Sequence, residues 1–335
     1  MAASPIAQEA VPSGEERYTN DLLARLKAKL LEDNPVGIMR RDAHPKMHGA
    51  VKAEFIVEPN LPPQMRVGIF SEAKTYPAWI RFSNGAQTIQ PDIKRDIRGM
   101  AIKVMSVPGE KILENERNER THDFILASTS FFMKDVATVD AFAKATTGSI
   151  LAKVWFGLAH WRVLWMAFKS FRKFANPLQI RYFSCTPYLF GTEAVKYSAI
   201  PAFAAPDPIP DPPSDDYLRL AIASQLKAGE MLFDFAVQFR TDADAMPIED
   251  SGREWRESRS PFRKVATIRI LRQDCDNDEQ RRFGENLSFT PWHALPEHRP
   301  LGGINRGRKT IYEAISSFRH QYNRAARKEP NSWEL

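Results

Sequence analysis

The chain has 335 residues, 43% of them hydrophobic, which is enough for one large core or two smaller ones and lacks the bias of a collagen, a coiled coil or a disordered chain. Its formal charge is +6, with 47 basic residues dispersed among 41 acidic ones, which argues against nucleic-acid binding and leaves anionic small molecules open. Two cysteines, Cys185 and Cys275, lie far apart without CxxC spacing, which argues against a zinc site or a disulfide framework and fits a reducing compartment.

Residues 1–18, "MAASPIAQEAVPSGEERY", are small, polar and proline-containing, and read as a flexible arm. They hold no basic segment followed by an apolar run, so no secretory leader is expected and the cytoplasm is the default location. "NDLLARLKAKLLEDNPVG" predicts a helix capped by Asn20, striped by Leu22, Leu23, Leu26 and Leu30, and stopped at Asn34-Pro35. "RRDAHPKMHGAVKAEFIVE" then runs from a turn into a strand, where Val51, Ala53, Phe55 and Val57 alternate with Lys52, Glu54 and Glu58. His44 therefore sits at the mouth of a sheet. "YPAWIRFS" puts Ala78, Ile80 and Phe82 on one face and Trp79, Arg81 and Ser83 on the other, so a guanidinium and a hydroxyl share a side. "RGMAIKVMSV", "HDFILAS", "MLFDFAVQF" and "KVATIRIL" continue the strand pattern, with Met231, Phe233, Phe235, Val237 and Phe239 facing inward.

Residues 150–175, "ILAKVWFGLAHWRVLWMAFKSFRKFA", are too often interrupted by charge to span a bilayer. Trp155, Phe156, Trp161, Trp165 and Phe168 with flanking bases fit either a helix touching lipid or substrate, or one packed on the barrel or in a subunit contact; a homo-oligomer is expected. Six prolines between Pro201 and Pro213 rule out helix or central strand there. The stretch reads as a crossover, because each half of the chain has too few strands to close a sheet alone. The expectation is an α+β fold, a closed antiparallel β-barrel with surrounding helices, in one domain over 19–325 with a tail at 326–335.

The final helix, "RGRKTIYEAISSFRHQYNRAAR", presents Ile311, Ile315 and Phe318 on its apolar side and places Arg308 and Tyr312 one turn apart. A phenol, with pKa near ~10, ionises more readily beside a fixed cation, and a phenolate is a good ligand for ferric iron. The RxxxY spacing is common by itself. His48, and His293 with His298 in the loop before this helix, read as ordinary polar residues and not as metal ligands, and "RGRK" as a solvated basic run.

Five separated segments together resemble the haem catalases, in that family's order. "RRDAHPKMHGA" resembles the distal-histidine segment through Arg41, His44, Lys46 and Gly49-Ala50. "WIRFSNG" is similar to the strand carrying Arg81 and Ser83, and "PDIKRDIRGMAIKV" matches at Asp92, Arg95, Asp96, Arg98, Gly99, Ala101 and Lys103. "STSFFMKD" matches at Phe131, Phe132 and Asp135, while "RKTIY" and Arg319 resemble the proximal ligand helix. The resemblance covers residues 36–145 and 285–320. It implies a haem b held between barrel and ligand helix, with Tyr312 as the iron ligand, Arg308 beside it, and Arg41, Arg81, Arg319 and Phe132 around the cofactor. It further implies His44 as general acid–base and Ser83 as the residue fixing its tautomer.

One departure bears on function. The family's distal asparagine falls here on Ala127, followed by Ser128. The chain resembles the short catalase-like branch, so the expected activity is reduction of organic or lipid hydroperoxides with weak or no catalase activity. A fatty-acid hydroperoxide isomerase or lyase, and a non-catalytic haem- or lipid-binding barrel, remain alternatives.

Overall fold

The computed structural model describes residues 7–130, 133–202 and 205–335. Helix α1 (Glu15–Asp33) precedes four strands, β1 (Met47–Val57), β2 (Thr75–Asn84), β3 (Arg98–Met105) and β4 (Thr121–Ala127). Helices α2 (Val136–Thr147), α3 (Ile150–Ala159) and α4 (Trp161–Ser170) follow, then β5 (Tyr182–Phe183), β6 (Tyr188–Phe190) and β7 (Glu193–Pro201). The chain continues through α5 (Tyr217–Ala228), β8 (Met231–Phe239), β9 (Arg263–Ile270), α6 (Asp278–Asn286) and α7 (Gly303–Tyr322).

Eight of the strands close a ring in the order β5-β4-β3-β2-β1-β9-β8-β7, with β5 pairing β7 to complete it. Every pairing is antiparallel, and β6 extends from β7 outside the ring. Both halves of the chain contribute strands. The proline-rich stretch therefore bridges neighbouring strands β7 and β8 through α5, and its residues 205–213 are mostly exposed.

Period-two alternation sends one set of side chains inside, where Phe55, Phe124, Tyr197 and Phe235 pack with ring centroids 4.8–5.7 Å apart. Truncating one of these rings should cost about 3–5 kcal/mol. The complementary set points out of the barrel, and it includes Arg81, Ser83, Lys103 and Asp123, all buried. Such groups tolerate burial only when they are paired, so the outer wall of β2–β4 must itself be covered.

Several expectations change. Helix α1 begins at Glu15, with Gly14 in a left-handed turn (φ 80°), so Asn20 lies inside the helix and does not cap it. The acids Glu15 and Glu16 favour this earlier start at the positive end of the helix dipole, and Glu15 also binds Arg306 at 2.7 Å. Glu9 binds Arg299 and Arg306, and Ala7 is buried, so the flexible arm does not extend through residues 7–18. The terminal stretch packs on the barrel: Glu329 reaches Lys103, and the Trp333 indole donates to Ala78 O at 3.0 Å. Residues 150–175 form two helices broken at His160. Among the described residues no helix is long and apolar enough to cross a membrane.

Candidate active site

The outer faces of β2, β3 and β4 share a register in which Ser83 lies opposite Gly99 and Gly99 opposite Ala127. Residues directly opposite one another in a sheet point the same way, so a hydroxyl, a bare backbone and a methyl make one row. His44 lies over this row, its Nδ1 2.9 Å from Ser83 Oγ. Gly99 is what allows it: a Cβ there would stand 2.7 Å from the imidazole and 2.8 Å from Ser83 Oγ. His44 itself has φ 62°, an unusual conformation for a non-glycine residue, and Arg81 Nη2 holds its carbonyl oxygen at 3.1 Å.

A buried polar network fixes the loop beneath this histidine. Lys46 Nζ binds Asp92 and Asp216, each at 2.8 Å, and Asp92 also accepts the Leu218 amide at 3.0 Å. Asn84 joins His48, Asp92 and Arg98, while Asp96 accepts the amides of Gly85, Ala86 and Ile97. His48, read from the sequence as an ordinary polar loop residue, is thus buried on β1 with its Nε2 2.6 Å from Asn84 Oδ1. Asp92, Asp96 and Arg98 of the D-x-x-RD-x-RG run build this scaffold, and its Gly99 lies under the imidazole. Asn84 itself was missed in the sequence; it stands in "FSNG", directly after Ser83.

Three arginines converge beside the row, at the carbonyl end of α6. Arg41 donates to Gly284 O, Glu285 O and Leu287 O; Arg81 to Gly284 O and the Glu285 carboxylate; Arg319 to Glu285 O at 2.8 Å. Helix-end carbonyls suit cations. Burial lowers the Arg41 pKa well below its ordinary value, and Arg81 and Arg319 push it further, with Glu285 opposing them. Arg41 Nε, though buried, has no partner among the described residues.

On α7 the Arg308 guanidinium donates to the Tyr312 oxygen at 3.0 Å, as the one-turn spacing predicts, and Asn305 Oδ1 accepts from its other terminal nitrogen at 3.3 Å. Burial works against the Arg308 charge, yet Tyr312 and Tyr188 more than offset it and raise its pKa. The two groups lie within electrostatic reach of one another: Arg308 lowers the His44 pKa and Tyr312 raises that of Arg41. For His44, burial first and then the charges of Arg81, Arg41 and Arg308 push the pKa down to about 4. Its imidazole is therefore neutral across the physiological range.

This donor set fits a haem: of the three guanidiniums only Arg81 binds a carboxylate among the described residues, Arg41 retains an unpartnered donor that propionates could satisfy, and a tyrosine oxygen is anchored by a cation. Phe132 lies outside the described residues. Ser128 Oγ accepts the Arg98 amide at 2.8 Å. Asp135 accepts the Thr138 amide at 2.9 Å and caps α2.

Other sequence candidates serve structure. His293 Nδ1 binds Glu116 and its Nε2 lies 2.5 Å from Thr121 Oγ1, while His298 lies in the aromatic interior, its Nδ1 3.2 Å from the Tyr197 hydroxyl. The "RGRK" run is not a solvated patch: Arg306 is clasped by Glu9, Glu15 and Glu249, and Lys309 lies over the Trp292 ring.

No protein-family model matches the chain, and no curated protein does. Solved structures do. A bacterial catalase aligns with a TM-score of 0.65 and 16% identity, over 96% of this chain and 62% of that one. A fungal catalase aligns at 0.66 and 16% over 99% and 66%, and catalase A from Saccharomyces cerevisiae at 0.66 and 17% over 96% and 69%. The chain thus spans between 62% and 69% of the length of these three proteins. Barrel closure, strand order and these alignments agree that the chain has the catalase fold.

Proposed function

We propose that this chain is a haem peroxidase that reduces organic or lipid hydroperoxides and dismutates hydrogen peroxide weakly or not at all. The observation carrying this reading is the row Ser83–Gly99–Ala127 beneath His44, which offers an oriented base on one side and a methyl on the other. A bound haem supplies the iron chemistry that cleaves the peroxide bond. Tyr312, whose oxygen accepts from Arg308, would hold the metal, and Arg41, Arg81 and Arg319 would hold the propionates.

The chain's own residues handle protons. With the His44 Nδ1–H assigned to donate to Ser83 Oγ, 2.9 Å away, Nε2 is the nitrogen that would serve as the base. Nε2 takes the proton from the hydroperoxide O–H and returns it to the alkoxyl oxygen as the O–O bond breaks, so an alcohol leaves. An external reductant supplies two electrons, and two protons from solvent complete the conversion of ROOH to ROH and water. Ala127 offers no amide to orient a second hydrogen peroxide, and its methyl leaves room for a carbon chain.

The test uses protein reconstituted with haem. Turnover of cumene hydroperoxide with a reducing dye, at a rate well above hydrogen peroxide dismutation, is the expected result. Conversion of a linoleate hydroperoxide with no donor would make the enzyme an isomerase or lyase, and binding of haem without turnover of any peroxide would make it a carrier.

A further inference from the structure

Helices α3 and α4 form a hairpin whose apolar side chains face outward. Leu151, Trp155 and Leu158 follow i, i+4, i+7 spacing on α3, and Trp161, Trp165 and Phe168 repeat it on α4; each is more than half exposed. The helices meet where Gly157 faces Leu164, since a Cβ on Gly157 would come within 3.3 Å of Leu164 Cδ1, so the two apolar faces adjoin. The opposite side is anchored. Phe156 and Val163 are buried against Phe142, Met133 and Met166, and Ser170 Oγ lies 3.0 Å from Thr129 Oγ1.

Charge selects what this surface meets. Between residues 141 and 176 the sequence carries six basic residues and no acidic one. Lys153, Arg162, Lys169, Arg172 and Lys173 are exposed, and among the described residues none has a carboxylate partner. Lys169 Nζ stands 3.8 Å from the Trp165 ring centroid, and Arg95 covers Phe168 at 5.3 Å. Exposed indoles interleaved with bases suit the boundary between headgroups and acyl chains, where the ring body is apolar and cations meet phosphate. A protein partner would need a complementary acidic and apolar surface, whereas an anionic bilayer supplies both features without a fixed shape.

We infer that the α3–α4 hairpin docks this protein on an anionic lipid surface, seating its Trp and Leu side chains at headgroup depth without spanning the bilayer. The inference is independent of the haem reading.

Co-sedimentation of the full chain with phosphatidylcholine vesicles containing about one third phosphatidylserine tests it. Expected is pelleting with these vesicles and not with pure phosphatidylcholine, weakening as salt is raised. The charge reversals Lys153→Glu, Arg162→Glu and Lys169→Glu together should reduce binding at least ~10-fold. Trp155→Ser with Trp165→Ser should do the same, and both variants should keep the wild-type melting curve. The inference is overturned by equal binding to both vesicle types, by no binding, or by binding indifferent to these substitutions. It is also overturned if the wild type forms a concentration-dependent dimer that the tryptophan changes dissolve, since a second copy then covers the face.

Discussion

His44 and Ser83, 39 positions apart, are joined at 2.9 Å across a glycine on the neighbouring strand. The contact depends as much on the absent side chain at position 99 as on the two partners. Gly99→Ala should therefore displace the imidazole, because a methyl 2.7 Å from its ring has only backbone behind it. A displacement near 1 Å typically costs about 10²-fold in rate. Stopped-flow reaction with cumene hydroperoxide should show that loss with haem loading unchanged, and an unchanged rate would detach the histidine from the chemistry.

The same histidine fixes a pH profile. Its pKa in the folded chain is about 4 against an ordinary 6.5, so the reactive neutral form persists until the pH falls through about 4. The acid limb of kcat/KM should lie there, and a limb near 6.5 would mean a water-exposed ring. Stability follows the same sign. Between about 6.5 and about 4 the unfolded chain binds a proton that the folded chain refuses, so this group makes the fold less stable as pH falls through that window.

Alternation made most of the barrel legible, since Ala78, Ile80 and Phe82 could only face a core if Arg81 and Ser83 faced away. The pair Arg308 and Tyr312 was legible for the same reason, being a relation within one helix. Relations across the chain were not. Glu15 meets Arg306 only because α1 lies on α7, and the helix start moves with that contact. His48 looked like a loop residue because nothing local announces that Asn84, Asp92 and Arg98 close around it. The break at His160 escaped a reading that followed the aromatic residues, because Trp155 and Phe156 stand just before it and Trp161 and Trp165 just after.

Ala127 offers the most direct test of substrate preference. It stands opposite Gly99 on the outer face, so an amide there would enter the space beside His44. Ala127→Asn should raise the ratio of hydrogen peroxide dismutation to organic hydroperoxide turnover by about tenfold, the scale of one oriented hydrogen bond to the reacting group. Oxygen evolution measured against dye oxidation reads the ratio. No change would separate position 127 from the substrate.

Tyr312 bears on the cofactor itself. Its oxygen is the acceptor that Arg308 holds at 3.0 Å, and phenylalanine would keep the ring while removing that atom. Tyr312→Phe should lower haem retention at least ~10-fold, read from the Soret absorbance after gel filtration. Full retention with the wild-type spectrum would put the ligand elsewhere, whatever the activity.

Stability has its own test, at the far end of the chain. Lys103 is buried on the outer wall of β3, 2.7 Å from Asp123 and 2.6 Å from Glu329, so two carboxylates from distant segments satisfy one ammonium. Burial alone would raise the Glu329 pKa, but Lys103 and His293 reverse the sign and hold it at about 2. Its contribution is complete above the unfolded value near 4.5 and disappears as pH falls toward about 2. Glu329→Gln should cost about 3 kcal/mol at neutral pH, the low end for a broken buried pair because Asp123 stays in place. Urea unfolding at neutral pH and again near pH ~3 should show the gap between wild type and variant narrowing. A gap independent of pH would mean that residues 329–335 are held by the Trp333 and Trp79 hydrogen bonds and not by charge.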